Sequence, residues 1–328
     1  MRKFLFWLLA VVITLVLSIY QRMTGPTYPQ KVAVEWNGES VKVKLPRSGV
    51  QHDEMVKLKG VPKDATAQIH YRRYPTHEEY TTKEFEWNDG VWQAALPVQP
   101  VGGKLQYYIT VDGKDYPADE PVVIRFRNNV PAGILIPHIL LMFAAMLFAV
   151  YTFMLVIIRK EYSKWLKITV ATLFVGGFIF GPLVQHAAFG PWWTGFPYGT
   201  DLTDNKTLLS FLFFLLALAT MKWKHNRWVV ALAVLFMIAI FSIPHSAYGS
   251  EYDYESQQLS TEKGKLVYHA SHDEHRLRLG IQKACFRLLS ACTMFEIGGW
   301  RFIMLRMMNI GGTSAIRASS IALGLHDV

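Results

Sequence analysis

Five apolar runs, at residues 4–20, 134–158, 168–183, 208–221 and 228–243, constrain this chain more than any other feature. A helix needs about 20 predominantly apolar residues to cross roughly 30 Å of hydrocarbon. The first two runs read as complete spans, and the last three, which are shorter, are carried to full length by aromatic flanks at the interface. The charged residues between them follow a pattern. Arg2 and Lys3 precede the first run, Arg159, Lys160, Lys164 and Lys167 follow the second, and Lys222, Lys224 and Arg227 follow the fourth. If all five runs cross, these clusters share one side, which the positive-inside rule makes cytoplasmic. The loop at 186–206, aromatic and carrying Asp201 and Asp204, then lies outside. The expected location is the cell membrane, multi-pass, with the N-terminus in the cytoplasm and the bilayer as first partner. Much of the net charge of +9 is this bias, so it calls for no nucleic acid.

The first run has the short basic start and apolar core of a secretory signal. Its exit, Ser18-Ile19-Tyr20-Gln21-Arg22, lacks the small-x-small pattern of a cleavage site, so residues 1–22 are expected to remain as an uncleaved anchor.

Residues 30–128 read as an independent β domain on the outer side. Val32–Trp36 and Val41–Leu45 alternate around Asn37-Gly38, a hairpin signal because both central residues of such a turn need positive φ. Asn88-Asp89-Gly90 and Asp112-Gly113 mark further turns. Short alternating strands at this spacing predict an immunoglobulin-like or fibronectin-like β-sandwich. Its basic aromatic stretch, His70 to Tyr74, followed by His77, Glu78 and Glu79, reads either as solvated surface or as a rim for an exocytoplasmic partner.

Residues 131–249 are expected to form a four-span bundle. His138, His186 and His245 each fall near the outer end of a different run, which places three imidazoles at one predicted depth. Ionisable groups at the edge of hydrocarbon are costly and point to a site. Imidazole is also a common ligand of transition metals and haem iron. The three histidines are therefore candidate ligands of a metal or a b-type haem, although an interfacial histidine can also simply anchor a helix end. The loop at 190–207, dense in glycine, proline and aromatics, reads either as a lid over them, with Asp201 or Asp204 as a ligand, an orienting group or a proton acceptor, or as an aromatic belt in which one of these aspartates caps a helix. His225 falls in a basic loop and reads as surface. Asn205-Lys206-Thr207 matches a glycosylation acceptor but abuts the membrane.

From about Glu255 the character changes. His269, His272 and His275 form a His-x-x-His-x-x-His run, and the apolar stretch at 281–308 is broken by Lys283, Arg287, Glu296, Arg301 and Arg306, as in an amphipathic helix rather than a span. Cys285 and Cys292 would lie about 10 Å apart on a helix, too far for a disulfide. The tail at 250–328 is expected to be irregular or amphipathic. No phosphate-binding glycine loop, nucleophile elbow, Cys-x-x-Cys pair or His-Glu-x-x-His helix occurs, which leaves a soluble-type nucleotide enzyme or hydrolase unsupported.

The fold class is thus an α+β membrane protein: anchor, outer sandwich, four-helix bundle and tail. Two functions follow. One is electron transfer or metal handling at the histidines. The other is a non-enzymatic scaffold or sensor whose β domain binds a protein or ligand, alone or within a membrane complex. A transporter would call for buried charge pairs or internal repeats, which the sequence lacks.

Overall fold

The structure is a computed structural model that describes residues 2–36, 39–244, 251–255 and 257–260. The chain is mixed α and β, with sheets confined mainly to its first part and long apolar helices after them. Helix α1 (Arg2–Met23) leads into eleven strands. The longest of these alternate buried and open positions, as a half-buried strand must. In β9 (Lys104–Val111), for example, Leu105, Tyr107, Ile109 and Val111 are at most 1% exposed while the residues between them are only partly covered.

β9 is the centre of the largest sheet. It pairs antiparallel with β5 (Ala67–Tyr74) and β11 (Val122–Phe126), and β5 pairs in turn with β6 (Thr81–Glu84). β11 also takes β3 (Ser48–Gly49) as a parallel neighbour, and β10 (Lys114–Tyr116) folds back on β9. A three-stranded sheet, β4 (Glu54–Leu58), β8 (Val91–Leu96) and β7 (Glu86–Asn88), and a ribbon of β1 (Gln30–Trp36) and β2 (Glu39–Leu45) complete the strand region. All three sheets contribute side chains to one core that includes Leu45, Val56, Ile69, Leu96, Tyr107 and Phe126. The turns expected at 88–90 and 112–113 are present: Asp89 and Gly90 have φ of 48° and 76°, Asp112 and Gly113 of 47° and 77°. Asn37-Gly38 lies outside the described residues, while the strands on either side pair in register from Trp36↔Glu39 to Gln30↔Leu45.

Helix α2 (Ala132–Ile157) follows. Next come α3 (Ser163–Phe174), a π-helical turn (Val175–Phe180) and α4 (Gly181–Phe189), which run on as one helical stretch. α5 (Leu202–Ala219) and α6 (Asn226–Phe241) form an antiparallel pair after it. Among the described residues four stretches are long and apolar enough to cross a membrane: Phe4–Met23, Ala132–Ile157, Ser163–Phe189 and Leu202–Ala219. The fifth run forms a shorter helix. α6 ends at Phe241, short of Pro244, and its 16 residues rise only about 24 Å.

These helices share a second core. At the end that carries the basic clusters, Trp7 of α1 stacks on Tyr151 of α2 with ring centroids 4.2 Å apart, and Trp165 of α3 packs edge-on to both. Asn226 is 1% exposed there and is satisfied by Tyr162 Oη, the Ala217 carbonyl and Thr220 Oγ1. At the other end Gln21 of α1 donates to the carbonyl of Phe241, across 2.8 Å. α1 therefore touches later helices near both of its ends, while much of its surface between them stays exposed.

A short hairpin, β12 (Glu251–Asp253) and β13 (Gln258–Ser260), returns the chain to the strand region. The Tyr252 amide donates to the Gly102 carbonyl, and the Tyr254 hydroxyl bridges Gln99 and Lys104. Burial pushes that phenol up to about 12.

Candidate functional site at the strand side of the helices

The helix ends that face the strands hold most of the expected site residues. The segment between α4 and α5 is held there by one hub, Thr194, which is fully buried. Its amide and its hydroxyl both donate to Asp204 Oδ2, at 2.7 and 3.0 Å. Its carbonyl accepts from the Asp201 amide at 3.0 Å, and Gln185 of α4 donates to its hydroxyl at 3.2 Å. Gly195 follows because nothing larger fits: a Cβ there would lie 2.7 Å from Asp204 Cβ. Trp193 stacks on Phe178 of the π turn, which in turn meets Phe211 of α5. Asp201 caps α5, its Oδ1 accepting from the Thr203 amide at 2.7 Å, as a helix start favours. Asn205 Oδ1 accepts from the Phe196 amide, so the glycosylation-like asparagine is engaged locally.

Lys206, one turn into α5, is only 1% exposed. Its ammonium donates to the Ile243 carbonyl at 3.0 Å and sits over the Phe241 ring, where it neutralises the carbonyl end of α6. Asp201 lies close enough to interact with it.

The histidines occupy separate settings. His138 lies past the first turn of α2, beside Pro137, and its Nδ1 donates to the Gly176 carbonyl of the π turn at 2.9 Å. The same carbonyl accepts from the Gly181 amide. Gly176 lets α2 approach, since a Cβ there would lie 3.0 Å from Leu141 Cβ. At Gly177 one would lie 2.6 Å from Thr207 Cγ2 of α5. His186 is exposed near the end of α4, bonded through Nδ1 to the Gly190 carbonyl and stacked on Trp192 with centroids 4.0 Å apart.

The single depth expected of the histidines does not hold between these two. His138 sits level with Gly181, whose Cβ position is 3.9 Å from its Cε1, and His186 is five residues, about 7.5 Å, further along the helix. The ends of the apolar runs do not mark a common height, because α4 continues to Phe189, past the run that ends at 183. His245 lies outside the described residues, as do the histidine run at 269–275 and both cysteines. Among the described residues no group of three or more His, Cys, Asp or Glu side chains stands close enough to hold a metal ion. His225 is exposed at the start of α6.

Sequence reasoning missed the junction between strands and helices. The Asn128 amide donates to the Ala188 carbonyl of α4 at 2.9 Å, and the Arg125 guanidinium lies 4.3 Å from the centre of the Phe189 ring. Burial pulls the Arg125 pKa down, and Glu251 and Asp201 oppose that shift. The signal available in advance was the alternation of β11, which turns Arg125 away from the strand core, with Arg127 just past the strand and before a long apolar run.

The outward face of the large sheet carries the basic aromatic stretch. His70 stacks on Tyr108 with centroids 4.6 Å apart, Tyr80 meets Tyr108 edge-on, and Arg72 lies 4.5 Å over Tyr80 while donating to Gln106. Arg73 forks onto Glu78 beside them. Compared with protein-family models, curated proteins and solved structures, the chain has no match.

Proposed function

We propose that this chain is a membrane-embedded platform: a β-sandwich held outside the bilayer in a fixed orientation by a helical bundle, with the His70–Tyr108–Tyr80–Arg72 face presented to a protein or ligand partner. The observation that carries this reading is that the strands are bonded both to a helix and to the hairpin that follows the helices. Asn128 bonds Ala188 on one side, and the chain returns after α6 so that Tyr252 bonds Gly102 on the other. A domain tethered only to be near a membrane needs one covalent link and no such bonds. Fixing its orientation costs conformational entropy, which a presenting surface justifies.

The basic clusters support an outward β domain, since they sit at the opposite helix ends. Single cysteines at Lys164 and Lys224 should be protected from an impermeant thiol reagent in intact cells, and one at Thr200 should react. A photo-cross-linker at Tyr80 should give one discrete, saturable adduct, and one at Glu39, on the separate ribbon, should give none. Labelling of Lys164 from outside, or identical adducts at both cross-linker positions, sinks the platform.

A second reading is favoured by one observation. A carbonyl can only accept, so both His138 and His186 carry a proton on Nδ1, which in a neutral ring would leave the lone pair on Nε2. Metal-ligating histidines are commonly oriented in this way. His138, His186 and His245, with Asp201 or Asp204, would then hold a transition metal or haem b for electron transfer or metal handling. Metal analysis and a visible spectrum of the purified full chain decide it: a stoichiometric metal or haem supports the site, and its absence from protein extracted without chelators removes it.

A further inference from the structure

Between α1 and α2 runs a groove of about 290 Å³, lined by Val11, Thr14, Leu15, Ser18, Phe143 and Ala144 among others. Small side chains at Thr14, Ser18 and Ala144 open it, and Leu15 and Phe143 wall it. Ser18 Oγ is turned to its own helix, donating to the Thr14 carbonyl at 2.7 Å, so the wall it presents is apolar. Ser18 lies about 7.5 Å below Met23 along α1, and Leu140 and Leu147 lie about 12 and 22 Å below the start of α2. The groove therefore begins under the strand-side interface and ends near the middle of a bilayer core.

Residues 11, 14, 15, 18 and 22 share one face of α1 at helical spacing. Following that face outward from Ser18 by one turn leads to Arg22, at the mouth of the groove. Its guanidinium is exposed, donates weakly to Thr27 Oγ1 at 3.3 Å and lies 5.6 Å from the Tyr28 ring. Among the described residues it forms no salt bridge. An unneutralised cation directly above an apolar channel of acyl-chain depth complements a phosphate on a hydrocarbon tail. Such a charge at an outer helix end also runs against the positive-inside bias.

We infer that the α1–α2 groove is a binding site for an anionic phospholipid of the outer leaflet, one acyl chain lying along Thr14, Ser18 and Ala144 and the phosphate on Arg22. This rests on the membrane-spanning reading of α1 and α2. The lipid bridges the first helix to the second, and so ties the anchor to the bundle at a level where protein contacts leave a gap.

The test uses the full chain, purified in detergent and delipidated, with native mass spectrometry and thermal unfolding by tryptophan fluorescence as readouts. Phosphatidylglycerol should bind at one copy per chain and raise the unfolding temperature, and phosphatidylcholine or inorganic phosphate should do so much less. Arg22→Gln should weaken phosphatidylglycerol binding about fivefold, the value of one interfacial cation. Ala144→Leu, which fills the groove, should abolish the one-copy adduct while the protein still unfolds cooperatively. Equal binding of the two lipids with no effect of Arg22→Gln overturns the proposal. So does full competition by inorganic phosphate, or a lipid-free dimer cross-linked through α1, which would give the groove to a second copy. Resistance of the chain to carbonate washing of membranes is scored separately. Its failure removes the spanning reading, whereas a lipid failure with carbonate resistance intact removes only the lipid site.

Discussion

The Nδ1 of His138 and the carbonyl oxygen of Gly176 are joined across 2.9 Å, from one long helix to the widened turn of the next. Gly176 is the second residue of the widened π segment, and Pro182 follows six residues later. Proline has no N–H to donate and its ring crowds the carbonyl four residues back, so a π turn just before it relieves the conflict. His138 then gives a second hydrogen bond, from α2, to a carbonyl that already accepts from the Gly181 amide. His138→Ala should lower the stability of the detergent-purified protein by about 1 kcal/mol, the usual scale for such bonds in membrane proteins. His138→Gln should recover part of the loss. Thermal unfolding of the three proteins side by side checks this, and an unchanged midpoint in the alanine variant would show that the bond contributes nothing.

Gly177 makes a sharper case. A Cβ there would stand 2.6 Å from Thr207 Cγ2, and the neighbour is a methyl group on a rigid, β-branched side chain. Gly177→Ala should destabilise by about 1–3 kcal/mol through overpacking. Thr207→Ser removes the offending methyl and keeps a hydroxyl able to donate to the Thr203 carbonyl. The double variant should therefore regain most of the loss, giving a coupling energy that a double-mutant cycle reads directly. Additive effects would mean that α5 and the π turn do not meet at this point.

How much of this was legible in advance follows the range of each interaction. The turn at Asp112-Gly113 is written in adjacent residues, and so is the Asp201 cap, because both depend on backbone conformation within a few positions. The strand alternation around Tyr107 is equally local in origin. By contrast, Lys206 finds the Ile243 carbonyl 37 residues away, and Gly177 finds Thr207 across a loop. No periodicity encodes those partners. The histidine site suffered for a related reason. Its common level was inferred from where apolar runs stop, but helices continue into polar sequence wherever caps and packing hold them, as α4 does up to Gly190.

Acid should separate two carboxylates of the strand region. Burial raises the pKa of Glu54, with His52 acting weakly against it, whereas hydrogen bonding to Arg73 lowers that of Glu78. A raised folded-state pKa means that protonated Glu54 favours the fold. That contribution is complete below the ordinary glutamate value of about 4.3 and is lost as pH rises through the folded value. Glu78 has the opposite sign, present above the ordinary value and lost as pH falls through its lowered one, and being exposed it counts for little. Glu54→Gln should flatten the decline in unfolding temperature on the upward side of that window and leave the protein at least as stable as the parent at neutral pH. Glu78→Gln should barely change the profile. A parent profile that rises through this range would contradict the burial of Glu54.

The attachment of the returning hairpin to the strands can be tested at Gly102. This residue has φ of +83°, its amide donates to the Phe126 carbonyl, and its carbonyl accepts from Tyr252. A Cβ there would lie 2.4 Å from Leu259 Cδ1. Gly102→Ala therefore meets two separate penalties: a left-handed backbone, worth about 1–2 kcal/mol for a residue with a Cβ, and a clash with the hairpin. The hairpin holds few other buried groups, so it should be displaced before the strand core yields. Hydrogen exchange at the Tyr252 amide should accelerate by at least tenfold in Gly102→Ala while the amides of β9 keep their protection. Leu259→Ala in the same background removes the clash and leaves the backbone penalty, so protection at Tyr252 should return in part and not in full. Complete recovery would assign the whole effect to Leu259. If β9 opened together with the hairpin, Gly102 would belong to the strand core rather than to the clamp, and the second attachment on which the platform depends would lose its independence.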